Sequence, residues 1–203
     1  MSVAGAILAG GGATRFGGAP KGLEVVGGAR IIDRLVALLD RALGNAPLLV
    51  ANAPDAAAWV PGLRVVTDRV PGAGSLGGIL TAVAEAPAPV VCVAWDMPFV
   101  TEALVLRLAA GLADADVCIP ESGNRRGVEP LCAAYGPGCV GPIEQSIAAG
   151  DLRAIGFHSS VRVATLPAAQ VAEIGDPAEL FFNVNTAQDL TRAELLWRRV
   201  SSR

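Results

Sequence analysis

Two hydrophobic rhythms alternate along the chain. The apolar run Val3 to Ala9 reads as a buried strand. From Arg30 to Leu43, Ile31, Ile32, Leu35, Val36, Leu38 and Leu39 recur at helical spacing, and Gly44 ends the pattern. Leu48–Ala51 and Leu63–Thr67 return to strand character, ending at Asn52 and Asp68. Leu76 to Ala86 reads as a helix with Ser75 as its cap. Val90 to Trp95 is the most apolar strand and is expected at the centre of a sheet, with Asp96-Met-Pro-Phe99 directly after it.

The second half continues in the same way. Thr101 to Leu112 reads as a helix, and Asp116–Ile119 and Glu129–Tyr135 read as strands. Pro142–Ala149 is helical, and Arg162–Leu166 and Phe181–Asn185 are short strands. Thr186 caps a last helix to about Arg199, with Asp189 as its capping-box partner. Strands alternating with helices predict an α/β fold: a three-layer sandwich with a mostly parallel sheet. Glu129–Tyr135 and Arg162–Leu166 are expected to form a small β lobe over one edge. In such sheets ligands bind outside the carboxyl ends of the strands. That rule gathers Asn52, Asp68, Asp96 and Asn185 beside the first strand.

The first strand breaks into Gly10, Gly11 and Gly12, followed by Arg15, Gly17, Gly18 and Lys21. Glycine lets backbone N–H groups approach an anion, arginine offers a planar fork to phosphate oxygens, and lysine a mobile charge. A strand, a glycine loop and two cations make a triphosphate cradle. The spacing is neither a P-loop, since Gly22 follows Lys21, nor the dinucleotide G-x-G-x-x-G. The bland alternative is a glycine-rich turn with two surface cations.

Composition narrows the setting. In 203 residues, 52% hydrophobic and 17% charged, a large core in a single domain spanning 1–203 is expected. A net charge of −3 leaves no basic footprint for nucleic acid, so anions must be held locally. The apolar stretch around Val90–Trp95 is too short to span a membrane, and the N-terminal run lacks a basic leader. Cys92, Cys118, Cys132 and Cys139 form no C-x-x-C pair and suit a reducing cytoplasm. With one histidine, His158, a zinc site is not expected.

Asp96 emerges from the most apolar strand opposite the cradle. A carboxylate there is a natural Mg²⁺ ligand, since Mg²⁺ takes one or two carboxylates plus phosphate oxygens; otherwise it is a turn residue. Asn183 and Asn185 flank Val184, so a strand would put both amides on one face, available to a ligand or a metal shell; the alternative is turn chemistry before Thr186.

Leu8-Ala-Gly-Gly, Arg15-Phe-Gly, Lys21, Asp96-Met-Pro-Phe99, Glu129-Pro-Leu131 and Phe182-Asn-Val-Asn-Thr186 together resemble the signatures of molybdenum cofactor guanylyltransferases. These belong to the nucleotidyltransferases with a Rossmann-like, glycosyltransferase-A-like fold. The resemblance runs in order through nearly the whole chain. It implies that Leu8, Ala9 and Gly10 line the guanine and ribose site, with Gly11 and Gly12 of the glycine loop against the nucleotide, and that Arg15 and Lys21 hold the triphosphate. It further implies that Asn52 and Asp68 contact the nucleotide, that Asp96 binds Mg²⁺, and that Asn183 and Asn185 lie near the pterin phosphate. Arg153 matches a basic residue on the pterin side.

The chain departs from the family pattern twice. Pro20 stands where aspartate is usual, and Gly74-Ser75-Leu76 replaces Gly-Pro-Leu, which is expected to loosen that loop.

The implied reaction moves GMP from GTP to the phosphate of molybdopterin, releasing pyrophosphate, in the cytoplasm. Apo-molybdoenzymes or their chaperones are the implied recipients. Competing readings are a cytidylyltransferase, another sugar- or alcohol-phosphate nucleotidyltransferase, and a non-catalytic pterin-cofactor carrier. Arg125, Arg126 and Glu129 are polar residues without an assigned role, and Trp59, Trp95 and Trp197 read as packing aromatics.

Overall fold

The computed structural model describes residues 2–10, 20–123 and 127–201. In chain order the elements begin with β1 (Ala4–Ala9), β2 (Val25–Val26), β3 (Ala29–Arg30), α1 (Ile31–Leu43), β4 (Leu48–Ala51) and α2 (Ala56–Trp59). The middle holds β5 (Val65–Val66), α3 (Gly74–Glu85), β6 (Val90–Ala94), α4 (Glu102–Ala110), β7 (Val117–Pro120) and β8 (Cys132–Tyr135). The last third holds α5 (Val140–Ala148), β9 (Val163–Leu166), α6 (Ala168–Ile174), α7 (Pro177–Leu180) and α8 (Ala187–Ser201).

Seven strands form one sheet in the order β5-β4-β1-β6-β8-β7-β9, parallel except for β8. The expected β lobe is therefore corrected. β8 inserts antiparallel between β6 and β7, and β9 extends the sheet at its far edge. A separate two-stranded hairpin, β2–β3, follows the Lys21 segment.

Alternation along the strands builds two cores. Ile7, Ala9, Leu49, Val91 and Val93 pack with α1 and α4 through Ile32, Leu35, Leu39, Leu104 and Leu108. Ala6, Leu8, Leu48, Val50 and Cys92 face the other way, onto Leu76, Ile79, Leu80 and Ile143 of α3 and α5. Both faces of the central strands are thus covered, which is why they read as unbroken apolar runs.

Helix ends follow local chemistry. Gly44 ends α1 in the left-handed region at φ 72°, its N–H donating to Asp40 O. Thr101 Oγ1 accepts the Leu104 N–H at 3.4 Å. Ser75 is not the cap of α3; Ala73 holds that position with no side-chain hydrogen bond. The loop before α3 is nonetheless tied down. Buried Thr81 Oγ1 accepts the Arg69 N–H at 2.9 Å and donates to Gly77 O at 2.9 Å. Phe181–Asn185 is not a strand; among the described residues its link toward the sheet is the Val184 N–H to Asp96 O bond at 2.8 Å. Among the described residues no helix is long and apolar enough to cross a membrane.

Candidate active site

Register explains why residues far apart in sequence meet. Leu8 pairs with Val50 on one side and Ala94 on the other, and Val50 pairs with Val66. Two positions beyond each member of that row stand Gly10, Asn52, Asp96 and Asp68. Across the sheet the order is Asp68, Asn52, Gly10, Asp96. Three strand spacings of ~4.8 Å put about 14 Å between its ends, the scale of a nucleoside triphosphate. Leu8, Val50 and Ala94 floor a cleft of about 390 Å³ whose lining also includes Gly10, Asn52, Asp68 and Asp96, with Gly72, Gly74, Ser75 and Gly78 from the loop and first turns of α3.

At the β5 end, Asn52 and Asp68 clasp each other. Asn52 Nδ2 donates to Asp68 Oδ2 at 2.7 Å, and Asn52 Oδ1 accepts the Asp68 N–H at 2.8 Å. This pairing fixes the amide orientation and the angle of the carboxylate. The uncapped N-terminus of α3 meets the same cleft. Its leading N–H groups and its dipole favour an anion.

At the β6 end, Lys21 Nζ donates to Asn185 Oδ1 at 2.7 Å and lies 4.0 Å from Asp96 Oδ2. Both charged side chains are largely buried, 12% and 15% exposed. Burial raises the Asp96 carboxyl above its ordinary value, while Lys21 pulls it back down. Val184 is fully buried, and its N–H on Asp96 O carries the flanking asparagines to the site. Asn183 lines the cleft and Asn185 holds the lysine. Asn183 Nδ2 also donates to Phe181 O at 2.9 Å, so local turn chemistry accompanies its place in the cleft.

The sequence-expected residues fall into three groups. Leu8, Gly10, Asn52, Asp68, Asp96 and Asn183 share the cleft, with Lys21 and Asn185 beside Asp96. Ala9 packs its side chain into the opposite core, so its backbone is what it offers a nucleotide. Gly11, Gly12 and Arg15 lie outside the described residues, as do Arg125 and Arg126.

Sequence reasoning missed Trp95 as a cleft residue. It is buried and stacks on Trp59 with ring centroids 5.1 Å apart, yet it also lines the cleft. Its place directly before Asp96 was the available signal. Buried Glu129 accepts the Leu131 N–H at 3.3 Å, and Leu131 lines the cleft. A second cleft of about 310 Å³ shares Ser75 with the first and is lined by Val128, Pro130, Leu152, Arg153, Ala154 and Ile155. Arg153 pairs there with Asp151 at 2.6 Å and lowers its carboxyl to about 2.

Among the described residues no group of three or more His, Cys, Asp or Glu side chains is placed to hold a metal ion. The donor chemistry at Asp96 nevertheless suits a hard cation. A buried carboxylate with a raised pKa and an asparagine line one side of a cleft wide enough for phosphate oxygens.

Known proteins resemble this chain over nearly its whole length. A family model described as a MobA-like NTP transferase domain matches residues 5–163. A probable molybdenum cofactor guanylyltransferase from Pelotomaculum thermopropionicum is 34% identical over 197 residues, covering 97% of this chain and 94% of its own. A molybdenum cofactor guanylyltransferase from Desulfosudis oleivorans is 32% identical over 196 residues, covering 95% of each. The crystal structure of molybdopterin-guanine dinucleotide biosynthesis protein A from Archaeoglobus fulgidus superimposes with a TM-score of 0.78 at 26% identity, covering 96% of this chain and 98% of that one.

Proposed function

The chain belongs to the MobA-like NTP transferase family, and from that membership we propose that it uses the row Asp68–Asn52–Gly10–Asp96 to transfer GMP from GTP to molybdopterin. It is a nucleotidyltransferase, and relatives of like length carry the name molybdenum cofactor guanylyltransferase or probable molybdenum cofactor guanylyltransferase. The observation that carries the reading is the meeting of Lys21, Asp96 and Asn185 at the end of a cleft whose other end holds a clasped carboxylate.

Each end has its chemistry. Guanine presents adjacent N–H donors on its Watson–Crick edge, and the Asp68 carboxylate can accept two of them; cytosine would set a ring acceptor against the same carboxylate. The phosphates run past the backbone of Gly10 toward Lys21. A Mg²⁺ held by Asp96, with Asn183 or Asn185 at its margin, would neutralise charge on the α- and β-phosphate oxygens. The second cleft, apolar apart from Ser75 and Arg153, suits a flat heterocycle with an anionic tail.

The reaction is a displacement. An oxygen of the terminal phosphate of molybdopterin bonds to the α-phosphorus of GTP, and the bond from that phosphorus to the bridging oxygen breaks. The electron pair leaves on pyrophosphate. The nucleophile is already anionic, so no side chain has to remove a proton. What this chain supplies is alignment, exclusion of water by Trp95 and Leu8, and the Lys21 charge on the leaving group.

Pyrophosphate release with GTP, Mg²⁺ and molybdopterin tests the assignment. Release with GTP and little with CTP supports it. Release with CTP in preference makes the enzyme a cytidylyltransferase, and binding of the pterin without turnover makes it a carrier.

A further inference from the structure

The start of α8 departs from an ordinary capping box. In that motif the returning carboxylate accepts the N–H of the cap residue. Here Asp189 Oδ2 reaches one residue further back and accepts the Asn185 N–H at 3.1 Å, while also accepting the Thr186 hydroxyl at 2.9 Å. The Thr186 oxygen in turn accepts the Asp189 N–H at 3.1 Å. The residue whose backbone is pinned is therefore the one whose side chain holds Lys21 Nζ at 2.7 Å.

The same helix grips the lysine segment a second time. Glu194 Oε1 accepts the Gly27 N–H at 2.7 Å, in the turn of the β2–β3 hairpin. Gly27 has φ 58°, and a Cβ there would fall 2.2 Å from the Trp197 ring. Arg34 stacks over that ring at 3.7 Å and donates to Val26 O and Gly27 O. One helix thus fixes both the ammonium group and the hairpin that follows it.

We propose that Asp189 is a positioning residue for nucleotidyl transfer, acting through Asn185 to hold the Lys21 ammonium beside Asp96. The inference rests on the role assigned to Lys21 above. Asp189 lines neither cleft. It removes freedom from Asn185, and a catalytic cation displaced by about 1 Å can cost a large factor in rate.

A double-mutant cycle tests it, with GTP-dependent pyrophosphate release measured below the lowest melting temperature of the set. Asp189→Ala should lower kcat/KM about tenfold in the wild-type background and by less than about twofold when Asn185 is already alanine. Asp189→Asn, which keeps an acceptor oxygen, should restore most of the rate. Thr186→Val removes the helix cap without removing the acceptor for the Asn185 N–H, and it should lower the melting temperature while leaving kcat within about twofold. Equal losses from Asp189→Ala in both backgrounds, or a Thr186→Val rate as low as that of Asp189→Ala, would reduce Asp189 to a helix cap. Lys21→Ala in the same assay separates the two claims. If that variant is crippled while the cycle is additive, only the Asp189 inference fails. If it turns over normally, the reading of Lys21 fails first.

Discussion

The backbone of Gly22 lies against the face of Trp95 so closely that a Cβ on residue 22 would sit 2.4 Å from the indole ring. Gly22 follows Lys21 and Trp95 precedes Asp96, so this contact sets the spacing of the two charged groups. Trp95 cannot yield easily, since its other contacts include the stacked Trp59, itself anchored by its Nε1–H on Asp55 at 3.0 Å.

Gly22→Ala should therefore cost stability and rate together. Overpacking of this kind destabilises by about 1–3 kcal/mol, and separation of Lys21 from Asp96 should lower kcat more than it raises the KM for GTP. Denaturant melts and steady-state kinetics check both. An alanine variant with normal stability and rate would show that the contact has no structural consequence.

Asp96 is held at a cost to folding stability. Its raised pKa means that burying the charge is only partly offset by Lys21. Asp96→Asn should raise the melting temperature at neutral pH, by about 2–4 °C for each kcal/mol relieved, while abolishing metal-dependent turnover. A lower melting temperature in the asparagine variant would contradict this balance.

His158 gives the fold a pH dependence of the opposite sign to that of Asp96. Its Nε2 is buried without a hydrogen-bond partner among the described residues, and burial lowers its pKa from the ordinary 6.5. The unfolded chain then binds the proton more readily than the folded one. Stability is present above pH 6.5 and is lost as pH falls through the depressed folded value. The melting temperature of His158→Leu relative to wild type should rise as pH is lowered from 7 to 5. A constant difference would remove His158 from the acid response.

The Asn52–Asp68 clasp predicts a loss of base discrimination. Asn52→Ala frees the Asp68 carboxylate to rotate and should weaken GTP by about tenfold, the scale of one or two lost hydrogen bonds, with CTP changed much less. Inhibition constants for the two nucleotides read this directly. An equal loss for both would place Asn52 on the ribose or phosphates instead of behind the base edge.

Much of the site was legible because Asn52, Asp68 and Asp96 each end an apolar run, and parallel strands bring such ends to one edge. Register was not legible. Only the pairing of Leu8 with Val50 and Ala94 puts these residues in one row. Trp95 reads as core because it closes the most apolar run of the chain, and the Asp96 that follows it is the single sign that one edge is open. Phe181–Asn185 has strand composition, yet both edges of β6 are taken by β1 and β8, so the segment bonds just beyond the strand end, at Asp96. The short elements β2, β3, α2 and α7 have too few residues to show a period. The reach of Asp189 to Asn185 depends on the turn geometry before α8, which the Thr-x-x-Asp spacing does not encode.

The most direct test of the shared site is the single-turnover rate of Lys21→Ala with GTP and molybdopterin at saturating Mg²⁺. Loss of one transition-state donor in a buried site predicts a fall of about 10²-fold or more. A rate within about twofold of wild type would mean that the lysine beside Asp96 takes no part in the transfer, and the assignment of this cleft to the triphosphate would be wrong.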